Sequence, residues 1–185
     1  MSNRNITWKG FEHESLENCA IHVSPDSIHI TSFIIGKFEK LPFRIEYKIE
    51  VSHEWETRSF EIVTTLKNSF SKITYTSDKD RNWFVDGKIE PGLAGCFDID
   101  ISATPFTNTL AINRLNLIQG QPRIIDVVYV DIFEKSIHVE KQRYERLADS
   151  KIKFTQISNG FEAVISVNDQ GFVTSYPELF EEISC

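Results

Sequence analysis

The chain has no uninterrupted apolar run near the ~18 residues that a membrane-crossing helix requires, and its first residues, "MSNRNITWKGFEHE", lack the apolar core of a secretion signal. A cytoplasmic protein is therefore expected. Lys and Arg are nowhere clustered and the net charge is -7, which argues against a surface built to track nucleic-acid phosphates or an anionic membrane. Cysteine is scarce as well. Cys19, Cys96 and Cys185 form an odd, scattered set of three without C-x-x-C, which fits reduced thiols rather than a disulfide framework or zinc site, and Cys185 is expected to be the accessible one. The five histidines, His13, His22, His29, His53 and His138, never form H-x-x-x-H or H-E-x-x-H, so no metal is expected and solvated strand histidines are the simpler reading. A Cys19–His22 dyad finds no orienting acid in a recognisable signature. "GLAG" at Gly92–Gly95 has no helix behind it and reads as a loop, not a phosphate cradle. No repeat, low-complexity tract or linker divides the chain, so a single domain spanning 1–185 is expected, with a core large enough to need no metal or disulfide.

What is abundant is period-two alternation. "SIHITSFIIG", "FRIEYKIEVS", "RSFEIVTTL", "KITYTS", "IIDVVYVDIF", "SIHVEKQRY", "KFTQIS" and "FEAVISVN" read as strands, separated by turn residues such as Pro25-Asp26, Lys40 to Pro42 and Pro91-Gly92. Asp86-Gly87 and Asn159-Gly160 each suit a two-residue hairpin, and an antiparallel meander follows. One window, Thr109 to Leu117, supports a helix, with Asn108 or Thr109 as its cap and Gly120 as its end. Leu110, Ile112, Leu115 and Leu117 cover much of its circumference, so the helix is expected to be buried. The fold class is mainly β, a layered or rolled body with one short buried helix.

The densest polar stretch is "DIDISATPFTNTLAINRL", Asp98 to Leu115. On a strand, Asp98 and Asp100 share one face with Cα atoms about 6.5–7 Å apart, and Phe97, Ile99 and Ile101 share the other. Such a pair can act as acid and base at a glycosidic bond, chelate a cation, or accept hydrogen bonds from Thr104, Thr107, Thr109 and Arg114. The last reading comes first, since a turn entering a buried helix has free N–H groups to satisfy; a ligand site comes second and catalysis third. Arg114 is either a structural ion-pair partner or, in a cavity, a fork for a polar head group. Trp8, Trp55, Trp83, Tyr129, Tyr144 and Tyr176 join a polar atom to a large apolar body, which suits either a core or a pocket for amphiphiles.

"GCFDIDISATPFTNTLAINRLNL", with "WETRSF", the "DGKIE" hairpin, "VVYVDI", "QRYERL" and "FEAVISVNDQGFVTSYPELF", resembles the family of small bacterial proteins labelled putative glycolipid-binding. The resemblance spans nearly the whole chain. It implies a spiral β-roll, a long antiparallel sheet curled around a single short α-helix, and a cytoplasmic homodimer that handles a glycolipid or similar amphiphile. The matching polar positions are Asp98, Asp100, Thr104, Thr107, Asn108 and Arg114, with Arg58 and Tyr176 from the flanking motifs; no catalytic role and no cofactor come with them. Two departures stand out. Where the family reads Leu-Pro-Ile-Arg-Arg-Leu, this chain has Leu110-Ala111-Ile112-Asn113-Arg114-Leu115, and the family's Asp before the late turn is Asn168 here. The expected function is a binding protein whose groove takes an acyl or isoprenoid chain while Arg58, Arg114 and the two Asp orient the head. The alternatives are a hydrolase acting on a glycosyl or ester bond through Asp98 and Asp100, and a dimeric scaffold for another protein.

Overall fold

Alternating sequence becomes alternating burial. In the stretch Ile28–Phe38, Ile28, Ile30, Ser32 and Ile34 turn inward while His29, Thr31, Phe33 and Ile35 face solvent. The computed structural model describes residues 3–183, and fifteen such strands join there in one curled sheet. A first arm runs outward as β1 (Arg4–Gly10), β2 (Ser15–Val23), β3 (Ile28–Phe38), β4 (Leu41–Val51), β5 (Thr57–Leu66), β6 (Ser69–Ser77), β7 (Trp83–Val85) and β8 (Lys88–Ile89). The chain then crosses to the opposite edge through a single 3₁₀ turn at Pro91–Leu93. A second arm returns inward as β9 (Asp98–Ile101), α1 (Phe106–Leu115), β10 (Arg123–Asp131), β11 (Ser136–Ala148), β12 (Lys151–Gln156), β13 (Phe161–Val167), β14 (Val173–Tyr176) and β15 (Phe180–Glu182). β15 pairs with β1 and closes the order at the middle of the sheet. Every pairing is antiparallel except β9 with β10, because α1 carries the chain across between those two strands.

The segment that leads into β9 is tied back to the first arm by hydrogen bonds. Thr57 N–H donates to the Phe97 carbonyl at 3.0 Å, Gly95 N–H to the Arg81 carbonyl at 2.9 Å, and Trp83 Nε1 to the Cys96 carbonyl at 3.1 Å. The edge strand β9, whose four residues are all buried, lies covered instead of exposed. Inside the roll, Phe106 and Leu110 of α1 pack into a core supplied mainly by the first arm, with Trp8, Ile30, Tyr47, Phe60 and Ile99. Ala111, Ile112 and Leu115 pack into a second core with Tyr144, Ile152, Phe154 and Val173 of the other arm. The helix bridges the two.

The helix starts three residues earlier than the expected Thr109 and ends two before Leu117. Pro105, already in helical geometry, sets the first φ angle, and Thr104 Oγ1 accepts the Phe106 N–H at 3.0 Å, so neither Asn108 nor Thr109 is the cap. Asn116, at φ 43°, is the left-handed stop that was expected at Gly120. Asp86-Gly87 does form the two-residue hairpin, with φ of 49° and 74°. Asn159-Gly160 instead belongs to a four-residue loop between Gln156 and Phe161, closed by Gly160 N–H on the Gln156 carbonyl. Two further tight turns, Glu39-Lys40 and Lys67-Asn68, use positive φ without any glycine.

Candidate ligand-binding cavity

The polar stretch is wired by a match of two periodicities. Thr107 and Arg114, seven residues apart, lie on one face of α1 about 10.5 Å apart along its axis, while Asp98 and Asp100 are about 7 Å apart on β9. The longer reach of Arg114 absorbs the difference. Its Nε lies 3.0 Å from both Asp98 oxygens and its Nη2 2.6 Å from Oδ2, and its guanidinium also lies over the Phe97 ring, 5.0 Å from the centroid. Asp98 is fully buried, which pushes its carboxyl upward, and the Arg114 contacts pull it back.

Asp100 has no such partner. Thr107 Oγ1 donates to its Oδ1 at 2.9 Å and Gln142 Nε2 to its Oδ2 at 2.6 Å, both neutral donors. Burial raises its pKa, those two bonds lower it, and the charge of Glu140 adds to the rise. The Tyr144 hydroxyl lies 2.9 Å from Gln142 Oε1 and 3.1 Å from Asn108 Oδ1, extending the network to the next residue of the helix.

Asp100 forms part of the floor of an open cavity of about 530 Å³. Thr104 and Asn108 of the helix entry and Tyr176 share that floor; Phe154, Phe161 and Phe180 make an aromatic wall; Glu12, His13, Phe133 and Glu134 stand at the turns around it. Two floor groups are left over. The Asn108 side chain is 4 % exposed and Tyr176 is 5 % exposed, yet neither Asn108 Nδ2 nor the Tyr176 hydroxyl is hydrogen-bonded within the described residues. Burial, then the charge of Asp100, holds the Tyr176 hydroxyl well above its ordinary pKa, so it stays protonated and able to donate. The cavity thus offers a carboxylate, an amide donor and a phenol beside stacking rings, a set suited to a hydroxyl-rich head group with an apolar tail.

Of the expected site residues, Asp100, Asn108, Tyr176 and Thr104 come together on this cavity. Thr107 lies one shell behind, holding Asp100, and Asp98 with Arg114 lies behind the helix and does not line it. Arg58 is elsewhere: it bonds the Asp26 carbonyl at 3.1 Å and pairs with Glu50 on the outer face of β5, because its inward neighbours are Thr57 and Phe60. Since only Asp100 of the two aspartates reaches the void, Asp98 and Asp100 do not form an acid–base pair across it. Trp8 and Trp83 are core residues whose Nε1 groups bond backbone carbonyls, so Tyr129 and Tyr176 are the members of the aromatic set that line the cavity. His13 is not a solvated strand residue; it packs against Phe133, with ring centroids 4.1 Å apart, and against Phe38 and Phe43. Cys19 is buried while His22 faces out, which separates that dyad, and Cys185 lies outside the described residues. Asn113, at the place of the family's first Arg, packs under Gly171, and Asn168 Oδ1 accepts the Gln170 and Phe172 N–H groups, a task an Asp performs equally well.

A second buried cluster carries no motif. Glu17 Oε1 accepts from Ser32 Oγ at 2.7 Å and from the Tyr47 hydroxyl at 2.6 Å, its Oε2 has no partner, and Tyr47 reaches Thr104 Oγ1 at 3.4 Å. Burial pushes the Glu17 carboxyl to about 7. Its signal was phase: Glu17 falls on the inward series of β2 with Ser15, Cys19 and Ile21.

The family model described as "Putative glycolipid-binding" matches residues 5–182. The chain belongs to this family. A crystal structure of a DUF1089 family protein from Pseudomonas aeruginosa is similar to this glycolipid-binding family member at 29% identity, covering 90% of this chain and 92% of that one, with a TM-score of 0.82. No curated protein matches it. Among the described residues no helix is long and apolar enough to cross a membrane, and no group of His, Cys, Asp and Glu is arranged to hold a metal.

Proposed function

We propose that the protein is a non-enzymatic binder of a glycolipid or similar amphiphile, with the sugar on the floor formed by Asp100, Asn108 and Tyr176 and the apolar tail along the Phe154, Phe161 and Phe180 wall. The observation that carries this reading is that two largely buried residues, Asn108 and Tyr176, turn an amide and a hydroxyl without a protein partner into a void lined by aromatic rings. Affinity comes mainly from the tail, about 0.8 kcal/mol per buried methylene, and the floor selects the head. The family description supports the ligand class, and a cytoplasmic homodimer is part of the same proposal.

Calorimetric titration with octyl glucoside below its micellar concentration tests it. Saturable binding is expected, weakened about tenfold in Tyr176→Phe, which removes one hydroxyl from the floor and keeps the ring. Absence of saturable binding, together with ligand-free protein in native mass spectra, rejects the proposal.

A further inference from the structure

Resting on that reading, the cavity also specifies the charge of the head group. Glu12, Asp100, Asp131 and Glu134 line it, no Lys or Arg does among the described residues, and His13 is its one basic side chain. On β9, the buried Asp98 receives the bidentate Arg114. Asp100, two residues on and also buried, receives only the neutral donors Thr107 and Gln142. A buried carboxylate without a cation is costly, and a cavity walled by hydrocarbon rings concentrates its field in the void. The unpartnered Asn108 amide and Tyr176 hydroxyl beside it mark the same floor as a place where a ligand completes the hydrogen bonding.

We propose that the head group bound here is an amine-bearing sugar whose ammonium occupies the position beside Asp100 that Arg114 occupies beside Asp98, and that sugars carrying phosphate, sulfate or carboxylate are excluded. The neutral sugar is tolerated and the anionic one repelled, because the Asn108 and Tyr176 donors serve hydroxyls and four carboxylates on the lining face a single histidine.

Three octyl glycosides that differ at carbon six alone provide the test: the 6-amino-6-deoxyglucoside, the glucoside and the glucuronide, titrated at neutral pH and low salt. The amino compound is expected to bind about tenfold tighter than the glucoside and the glucuronide about tenfold weaker, with both gaps narrowing as salt is raised. Asp100→Asn collapses the preference for the amine. Should that variant fail to fold, the double variant Glu12→Gln with Asp131→Asn is expected to narrow the gap between glucoside and glucuronide. If the glucoside binds but the amino compound gains nothing, or the glucuronide binds as tightly, the charge inference is overturned while the amphiphile reading stands. If none of the three binds, the amphiphile reading itself fails and takes this inference with it.

Discussion

Asp98 and Asp100 share one strand face and meet different partners, and the difference sets what each is worth. Arg114→Leu strands a fully buried carboxylate, whereas Asp98→Asn leaves behind an arginine that is 18% exposed and can reach water. Urea unfolding at neutral pH should therefore show Arg114→Leu as the more harmful change, about 3–5 kcal/mol against about 2 kcal/mol. Glu17 makes a pH prediction. Its folded carboxyl keeps its proton up to about pH 7, while the unfolded one releases it near 4.5. The folded state thus binds more protons between those values, and stability from this group is complete below about pH 4.5 and is lost as pH rises through 7. The contribution is about 3 kcal/mol, seen as a falling urea midpoint from pH 5 to pH 8 that Glu17→Gln flattens. At this scale the sequence was partly legible. The Asp98, Asp100, Thr107 and Arg114 cluster could be read because its members are close in sequence. Gln142, which completes the Asp100 site, comes from a strand 42 residues away, and only the roll brings it there.

Strands were the easiest elements to foresee, because a sheet buried on one face imposes a period of two on the side chains themselves. Short turns were harder: Lys67-Asn68 adopts left-handed angles without glycine, and its composition carries little warning. The helix was displaced toward its N-terminus because Pro105 and Thr104 do the work that a cap at Asn108 was expected to do, freeing Asn108 to face the cavity. One turn locks the far end of this helix. Gly171, at φ 77°, sits so close to Asn113 that an added Cβ would lie 2.6 Å from its Oδ1. Gly171→Ala should cost about 2 kcal/mol or more in thermal unfolding, from the angle and the clash together, and shrinking Asn113 to Ala in the same chain should recover part of it.

At the scale of the molecule, the sheet and its single inner helix followed from pattern, while the seam before β9 did not, since the backbone N–H groups of Thr57 and Gly95 and the indole of Trp83 join segments with no shared periodicity. Trp83→Phe removes the Nε1 bond across that seam and keeps most of the buried ring; a loss of about 1 kcal/mol is expected, with faster amide exchange at Thr57 and Gly95 than in the parent. The pairing of β1 with β15 has a different consequence. Apart from that pairing and the seam, each strand's neighbours follow it or precede it along the chain, so the arms can zip up by local hairpins, except at β9 and β10, which the α1 crossover joins in parallel. Docking β15 on β1 brings together strands far apart along the chain, and stopped-flow refolding is expected to show it as the slow, entropy-limited step. A covalent link between the ends of these two strands, with new termini opened at the Lys67-Asn68 turn, would convert the docking into one more hairpin and so speed folding without altering the folded body.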